Sequence, residues 1–165
     1  MLRSILGRLV EWALGYRRDI IVTPIDYHQP DGPAYFPVKF PHHSHEDDAG
    51  YDLYVSRWTL CRPGGVTEVP SGIAISPKAP VWFEIKARSS TFRNMGLEVL
   101  DAVIDHGYRG EMFAIVFNPG PGEVALQPWT RICQIVPHLL LPVRFHWGRV
   151  LPSDRGRSGF GSTGS

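Results

Sequence analysis

The chain has little cysteine, little net charge and no long hydrophobic run. Only Cys61 and Cys133 occur in 165 residues, which speaks against a disulfide framework and fits a reducing compartment, the cytoplasm or, for a viral protein, the host cytoplasm. The net charge of +1 provides no general surface for nucleic acid, so we expect no nucleic-acid partner. No stretch reaches the roughly 18 apolar residues of a membrane-spanning helix, so we expect no stable membrane span.

The composition is that of a globular protein rich in backbone breakers. Hydrophobic residues make up 43% of the chain and charged residues 20%, which predicts one domain with a substantial core. The 17 glycines and 15 prolines are spread along the chain. Breakers at this spacing favour many short strands over long helices, so the sequence predicts an all-β fold.

One segment with helical periodicity precedes the strands, at residues 1–18. Apolar side chains recur there at helical spacing, namely Leu2, Ile5, Leu6, Leu9 and Ala13. This pattern predicts an amphipathic helix that packs on its own domain or on a neighbouring subunit. Contact with a membrane surface is the alternative, because arginines occupy the other face.

A dense group of imidazoles and carboxylates occupies residues 42–48, where the sequence reads His-His-Ser-His-Glu-Asp-Asp. Such side chains can bind a transition metal. Their spacing matches no tight ligand template, however. We therefore interpret the segment as a solvated loop.

A carboxylate, Asp105, lies in the stretch 103–111, which is followed by an apolar run at residues 112–117. We interpret the two segments as the strands of a β-hairpin, the second of them buried on both faces. A carboxylate fixed at such a turn can act as a general base. The alternative is that Asp105 only caps the turn, as aspartate often does.

Two further segments carry charged side chains at strand ends. Asp52 enters a strand, and an acid buried there without a partner is costly, so we expect a cation beside it. Arg88 is followed by Ser89 and Ser90 after another apolar strand. An arginine beside hydroxyls and free amides can hold a phosphate, although many solvated turns have the same composition.

Five segments resemble, in order, the motifs of the trimeric dUTP pyrophosphatases (dUTPases). They are Ala49-Gly50-Tyr51-Asp52-Leu53; Arg88-Ser89-Ser90 with Gly96-Leu97; Ile104-Asp105-His106-Gly107-Tyr108-Arg109-Gly110-Glu111; Arg131-Ile132-Cys133-Gln134-Ile135; and residues 155–164. The first 40 or so residues are not covered by the resemblance.

The resemblance implies a distorted jelly-roll β-barrel, which we expect over residues 19–150, and a flexible glycine-rich tail at 151–165 that closes over the active site. The helix predicted at 1–18 from its periodicity is an addition to this fold. It also implies a homotrimer whose active sites are shared between subunits. The implied reaction is hydrolysis of dUTP to dUMP and pyrophosphate with Mg²⁺, which keeps uracil out of DNA and supplies dUMP for thymidylate synthesis.

The resemblance further implies a role for each motif residue. Asp105 is the expected general base, orienting water for in-line attack at the α-phosphorus, while main-chain groups of its motif read uracil. Tyr108 is expected to pack against the deoxyribose. Asp52 is expected to organise the site by pairing with Arg88 and with the water shell of Mg²⁺, so no side chain is a direct metal ligand.

Phosphate and base contacts complete the expected site. Ser89 and Gln134 are expected to contact phosphate oxygens. The remaining substrate-binding residues implied by the motifs are Ser90, Arg155, Phe160, Gly161, Ser162 and Thr163. In the last group the arginine and the hydroxyls would hold the γ-phosphate, and the phenylalanine would stack over the uracil.

The sequence departs from the dUTPase pattern before the fourth motif, where Trp129 and Thr130 replace the usual Gly-Asp. This places the local turn and the register of Gln134 in question. Two other functions remain open. A dCTP deaminase would have a catalytic glutamate in the strand after the third motif, where residues 112–117 hold no acid. A nucleotide-sensing regulatory trimer with little turnover is the second alternative.

Overall fold

The computed structural model describes residues 19–25, 38–149 and 151–153. The helix predicted at residues 1–18 and the tail residues 155–165 lie outside the described residues. No helix within the described ranges is long and apolar enough to cross a membrane.

The described residues form short strands and one short helix, as the spacing of breakers predicts. The strands are β1 (Ile20–Pro24), β2 (Tyr51–Tyr54), β3 (Thr59–Cys61), β4 (Val66–Pro70), β5 (Ile73–Pro77), β6 (Val81–Ala87), β7 (Glu98–Leu100), β8 (Ala102–Ile104), β9 (Phe113–Phe117), β10 (Val124–Leu126) and β11 (Arg131–Leu139), and the helix is α1 (Ser89–Met95).

The strands pair antiparallel in four groups. A four-stranded sheet has the order β2-β11-β6-β8, and a three-stranded sheet has the order β4-β9-β7. Two pairs, β1-β5 and β3-β10, complete the set. The strands β7 and β8 are separated by Asp101 alone but belong to different sheets. The chain therefore passes from one sheet to the other at that residue.

A single apolar core lies between the sheets. Its side chains alternate along the strands, as in β6, where Phe83 and Ile85 are buried and the residues between them are only partly covered. In β5, Ile73 and Ile75 follow the same alternation. The core holds the sheets together through burial of apolar surface, the main favourable contribution to folding.

The hairpin predicted around Asp105 is wrong. Strand β8 pairs with β6, whereas β9 pairs with β4 and β7 in the other sheet. Residues 105–112 therefore form a loop that joins two sheets. The expectation that residues 112–117 are buried on both faces also fails in part. One face of β9 is buried, through Ala114 and Val116, and the other is half-buried.

Candidate active site

Except for Ser90, the sequence-predicted residues that the structure describes line two cavities. The first, of about 310 Å³, is lined by Asp52, Arg88, Ser89 and Gln134 among others. The second, of about 300 Å³, is lined by Asp105, Tyr108 and apolar neighbours. We name them the phosphate cavity and the nucleoside cavity after the roles that the motif resemblance implies for these residues. The two cavities have no lining residue in common.

The phosphate cavity is built around a carboxylate that accepts from two guanidinium groups. Asp52 is buried on β2, and its Oδ1 accepts from Arg88 Nε at 2.6 Å. Its Oδ2 accepts from Arg131 Nη1 at 3.3 Å. The cation expected beside Asp52 is thus present, and a second one, Arg131, was missed because it belongs to a strand distant in sequence. Arg88 Nη1 also donates to Ser90 Oγ at 3.2 Å.

The order of strands brings these side chains together. Strand β11 lies between β2 and β6, and Gln134 is paired with Asp52 on one side and with Lys86 on the other. Gln134 Nε2 donates to the carbonyl oxygen of Ala87 at 3.1 Å. A Cβ at Gly50 would lie 2.2 Å from Gln134 Oε1, so a glycine is needed for this side chain to keep its position.

The start of α1 fixes the segment that carries Arg88, Ser89 and Ser90, the residues predicted to bind phosphate. Arg88 is the residue before the first helical turn and has an extended backbone. Thr91 is fully buried in the helix, and its Oγ1 donates to the Ile132 carbonyl oxygen at 2.8 Å. The helix ends at Gly96, whose φ of 67° suits glycine. Ser89 is consequently held at the cavity wall.

A buried thiol, Cys133, lies behind the Asp52–Arg88 pair. Burial, reinforced by the Asp52 carboxylate and opposed by Arg88, raises its pKa to about 12. The other thiol, Cys61, is also buried, and burial raises its pKa. Both thiols are free, and neither is a candidate nucleophile because the thiolate form is disfavoured.

In the nucleoside cavity, Asp105 and Tyr108 lie on a braced loop. The Tyr108 amide donates to the Asp105 carbonyl oxygen at 3.0 Å, which closes a turn. The Tyr108 hydroxyl donates to the Glu111 carbonyl oxygen at 2.8 Å. Its ring lies over Gly110, where a Cβ would come 2.4 Å from the hydroxyl oxygen. His106 Nδ1 lies 3.0 Å from the Val81 carbonyl oxygen.

The end of this loop is held by the carboxylate of Glu111, which was not among the sequence-predicted site residues. Glu111 is buried, and its Oε1 accepts from the Gly72 amide at 2.7 Å. Burial raises the pKa of Glu111, and the Gly72 N–H opposes that rise. Next to it, Ser71 Oγ donates to the Met112 carbonyl oxygen at 2.7 Å. The turn between β4 and β5 thus holds the loop in place.

Asp105 and Arg88 follow opposite ends of the same strand pair. Ile104 of β8 is paired with Phe83 of β6, and Asp105 continues toward the start of β6. Arg88 comes directly after the last residue of β6. At about 3.3 Å per residue, the Cα positions of the two residues are separated by roughly 15–20 Å along the sheet.

Comparison with known proteins decides the family to which this chain belongs. The family model described as dUTPase matches residues 37–164, and the match includes all five motif segments. The chain belongs to the dUTPase family. A deoxyuridine 5'-triphosphate nucleotidohydrolase of Clostridium tetani is 33% identical over 130 residues, 77% of this chain and 90% of the relative. One of Bifidobacterium longum is 35% identical over 150 residues, 88% and 90% respectively.

Solved dUTPase structures show the same fold. A mutant of the Staphylococcus bacteriophage 80alpha dUTPase with dUpNHpp superposes with a TM-score of 0.79 at 18% identity, covering 90% of this chain and 100% of that one. A mutant dUTPase from phage phi11 of S. aureus, described with a structural Mg(II) ion, has a TM-score of 0.70 at 15% identity, covering 82% and 99%. The predicted dUTPase-like jelly-roll fold is confirmed.

The departure from the dUTPase pattern at Trp129 leaves the turn intact. Trp129 has a φ of 69°, a left-handed conformation that a glycine adopts without strain. Its amide donates to the Val55 carbonyl oxygen at 2.7 Å, and the Val55 amide donates to the Thr130 carbonyl oxygen at 2.9 Å. Strand β11 has an irregularity between Arg131 and Cys133. Beyond it, Gln134 is in the register described above.

The predicted site residues thus fall into three groups. The phosphate cavity region brings together Asp52, Arg88, Ser89, Ser90 and Gln134. The nucleoside cavity holds Asp105 and Tyr108. The tail residues Arg155, Phe160, Gly161, Ser162 and Thr163 lie outside the described residues. The loop 42–48 is mostly exposed, and within the described ranges no group of His, Cys, Asp and Glu side chains could hold a metal ion.

Proposed function

We propose that this dUTPase-family protein hydrolyses dUTP to dUMP and pyrophosphate by in-line attack of water on the α-phosphorus, with Asp105 as the general base. The observation that carries the proposal is the cavity in which Asp52 fixes Arg88 beside Ser89 and Gln134. A guanidinium, a hydroxyl and an amide converging on one cavity are suited to oxygen-rich anions.

Arg88 is held so that part of its guanidinium stays available. Its Nε donates to Asp52, which fixes the plane of the group, while Nη1 donates to the Ser90 hydroxyl, its one partner among the described residues. Terminal N–H groups remain for phosphate oxygens. Ser89 and Gln134 add a hydroxyl and an amide from neighbouring elements, so the cavity recognises phosphate from three directions.

Magnesium fits this site as a partner of the substrate. When bound to the triphosphate, Mg²⁺ neutralises part of its charge, and an ion held by phosphates and water needs few protein ligands. Both oxygens of Asp52 already accept from guanidinium groups, which suits an indirect role through the metal's water shell.

The nucleoside cavity suits a deoxyribose and a base. Its wall combines Tyr108 with the apolar side chains of Ile104, Phe113 and Ile115. A filled apolar surface next to the sugar leaves a ribose 2′-hydroxyl without a hydrogen-bond partner, which disfavours ribonucleotides. Tyr108 is the residue that we assign to this discrimination.

One chain alone does not place Asp105 beside the phosphates. A water aligned for attack lies about 3–3.5 Å from phosphorus, and a general base must reach that water by a hydrogen bond. The Cα positions of Asp105 and Arg88 lie roughly 15–20 Å apart along the sheet, and the two residues line cavities with no lining residue in common. We therefore infer that Asp105 of one subunit completes the phosphate cavity of another, in a homotrimer.

An exposed apolar arm supports assembly between copies. After β11, residues 140–149 form neither helix nor strand. Large apolar side chains alternate along this segment, and Phe145 and Trp147 have relative exposures of 97% and 106%. Such side chains are costly to leave in water, and a neighbouring subunit is the partner that the shared-site proposal already requires.

The tail residues belong to the proposal through the family match, which extends to residue 164. In it, Arg155, Ser162 and Thr163 bind the γ-phosphate, while Phe160 and Gly161 cover the base. The division into a helix at 1–18, a barrel domain at 19–150 and a closing tail at 151–165 is part of the same proposal. The two free thiols fit action in the cytoplasm.

A dCTP deaminase is not supported, since strand β9 (Phe113–Phe117) contains no acidic residue. The test is to incubate the protein with dUTP, dCTP or UTP and Mg²⁺, and to measure pyrophosphate and ammonia. The proposal expects pyrophosphate and dUMP from dUTP alone. Ammonia from dCTP would indicate the deaminase, and nucleotide binding without any product would indicate a regulatory sensor.

A further inference from the structure

The histidine-rich loop at residues 42–48 forms one side of the phosphate cavity, and the family motifs give it no role. Its backbone is fixed at both ends. The Asp52 amide donates to the His42 carbonyl oxygen at 2.7 Å. At the other end, Asp48 Oδ2 accepts from the His45 amide at 2.9 Å. The loop therefore has a defined shape that is tied directly to the strand carrying Asp52.

This loop places the ring of His43 in the cavity wall. The ring stacks on Tyr51, with centroids 4.9 Å apart and planes inclined by 22°. The ring of His42 meets it edge-on at 6.0 Å. The same cavity wall contains Arg88 and Ser89. The imidazole is thus oriented by packing before any ligand arrives, which lowers the entropy cost of a contact.

The two ring nitrogens of His43 are not equivalent. Nδ1 is buried and has no hydrogen-bond partner among the described residues. A buried N–H without an acceptor is rarer and costlier than a bare acceptor, so we assign the proton to Nε2. The neutral ring then has one N–H donor, at Nε2.

We propose that His43 is a further substrate-binding residue, whose Nε2–H donates to a phosphate oxygen of the nucleotide in the phosphate cavity. This inference rests on the proposed function. The cavity wall also includes Asp48 and Asp52, while Nε and Nη1 of Arg88 already donate to Asp52 and Ser90. Additional donors are therefore needed for a polyanion, and His43 supplies one.

The test measures binding of a non-hydrolysable imido analogue of dUTP with Mg²⁺ by titration calorimetry. The variant His43→Phe keeps an aromatic ring on Tyr51 but removes the donor, and we expect about tenfold weaker binding. His43→Gln restores an N–H donor and should recover most of that loss. The matched control, His45→Phe, changes an exposed ring of the same loop and should bind within about twofold of wild type.

Three outcomes overturn the proposal: wild-type affinity in His43→Phe, an equal loss in His43→Gln, or an equal loss in His45→Phe. The variant Arg88→Ala separates this failure from failure of the proposed function. If Arg88→Ala loses affinity and His43→Phe does not, only the assignment of His43 is wrong. If neither loses affinity, the phosphate cavity itself is misassigned.

A second measurement does not depend on how the variants fold. Nitrogen NMR of the wild-type histidine rings reports which nitrogen carries the proton and whether it is hydrogen-bonded. We expect His43 to carry its proton on Nε2 and this resonance to shift when the analogue is added. A proton on Nδ1, or an unchanged Nε2 signal at saturation, contradicts the proposal.

Discussion

Two aspartates of the proposed site have opposite environments, and this difference assigns their roles. Both carboxylate oxygens of Asp52 accept from guanidinium groups, so the orientation of this side chain is fixed by two ion pairs. Asp105 is exposed at the edge of the nucleoside cavity, and its carboxylate accepts no hydrogen bond from the described residues. We therefore propose that Asp105, and not Asp52, takes a proton from water.

Replacing Asp105 by asparagine should separate binding from turnover. We expect Asp105→Asn to bind the imido analogue like wild type while kcat for dUTP falls by about 10²- to 10⁴-fold, the contribution of a positioned general base. Steady-state kinetics and calorimetry on the same sample give both values. Undiminished kcat would remove Asp105 from its role. Asp52→Asn, which releases Arg88, should instead weaken analogue binding.

At Trp129 the strain of the backbone can be measured separately from the role of the ring. Trp129→Gly and Trp129→Ala both remove the ring, whose centroid lies 5.3 Å from Lys39 Nζ. The comparison of the two variants therefore tests how well glycine and alanine adopt the φ of 69° at this position. We expect the glycine variant to have the higher free energy of unfolding, by about 1 kcal/mol. Urea unfolding of the two proteins tests this. Equal stabilities would mean that the turn is not strained.

At the level of elements, the loop 105–112 owes its position to the β4–β5 turn, through Glu111. Burial raises the pKa of this carboxyl above its ordinary value of 4.5. The folded protein therefore binds the proton more tightly than the unfolded chain does. The raised pKa of Glu111 therefore adds to the free energy of unfolding at low pH. This contribution is fully present below pH about 4.5 and is lost as pH rises through the folded-state pKa.

The variant Glu111→Gln should remove this pH dependence while keeping an oxygen that accepts from Gly72. We expect the free energy of unfolding of Glu111→Gln, relative to wild type, to rise from pH 4 to pH 8. Urea unfolding across that range provides the curve. A difference that stays constant with pH would show that Glu111 has the same pKa in both states. Asp101→Asn, at an exposed carboxylate, is the control for surface charge.

The same elements show what the sequence could and could not predict. The spacing of breakers correctly indicated a β fold, and the family resemblance correctly paired Asp52 with Arg88, 36 residues away. The hairpin failed because β8 and β9 are close in sequence, whereas their partners β6, β4 and β7 are chosen by long-range packing. Arg131 and Glu111 were missed for the same reason, since their partners lie 79 and 39 residues away.

At the scale of the whole molecule, strand β6 lies between the strands that lead to the two cavities. Strand β6 pairs with β11, which carries Gln134, and with β8, which leads to Asp105. The two partners lie on opposite edges of β6, and the phosphate cavity and the nucleoside cavity have no lining residue in common. We propose that subunits of an assembly complement one another at this site, and the exposed arm at residues 140–149 offers apolar surface for such an assembly.

The most direct test of this shared site is complementation between two inactive variants. Asp105→Asn and Arg88→Ala are each expected to turn over dUTP poorly, and they are unfolded together, refolded as a mixture and assayed. If Asp105 and Arg88 of one site come from different subunits, a mixed trimer can combine an intact Asp105 from the Arg88→Ala chain with an intact Arg88 from the Asp105→Asn chain. Random mixing in equal amounts then restores about a quarter of the sites. Activity of the mixture that stays at the level of the separate variants, although mixed trimers form, would contradict a site shared between subunits.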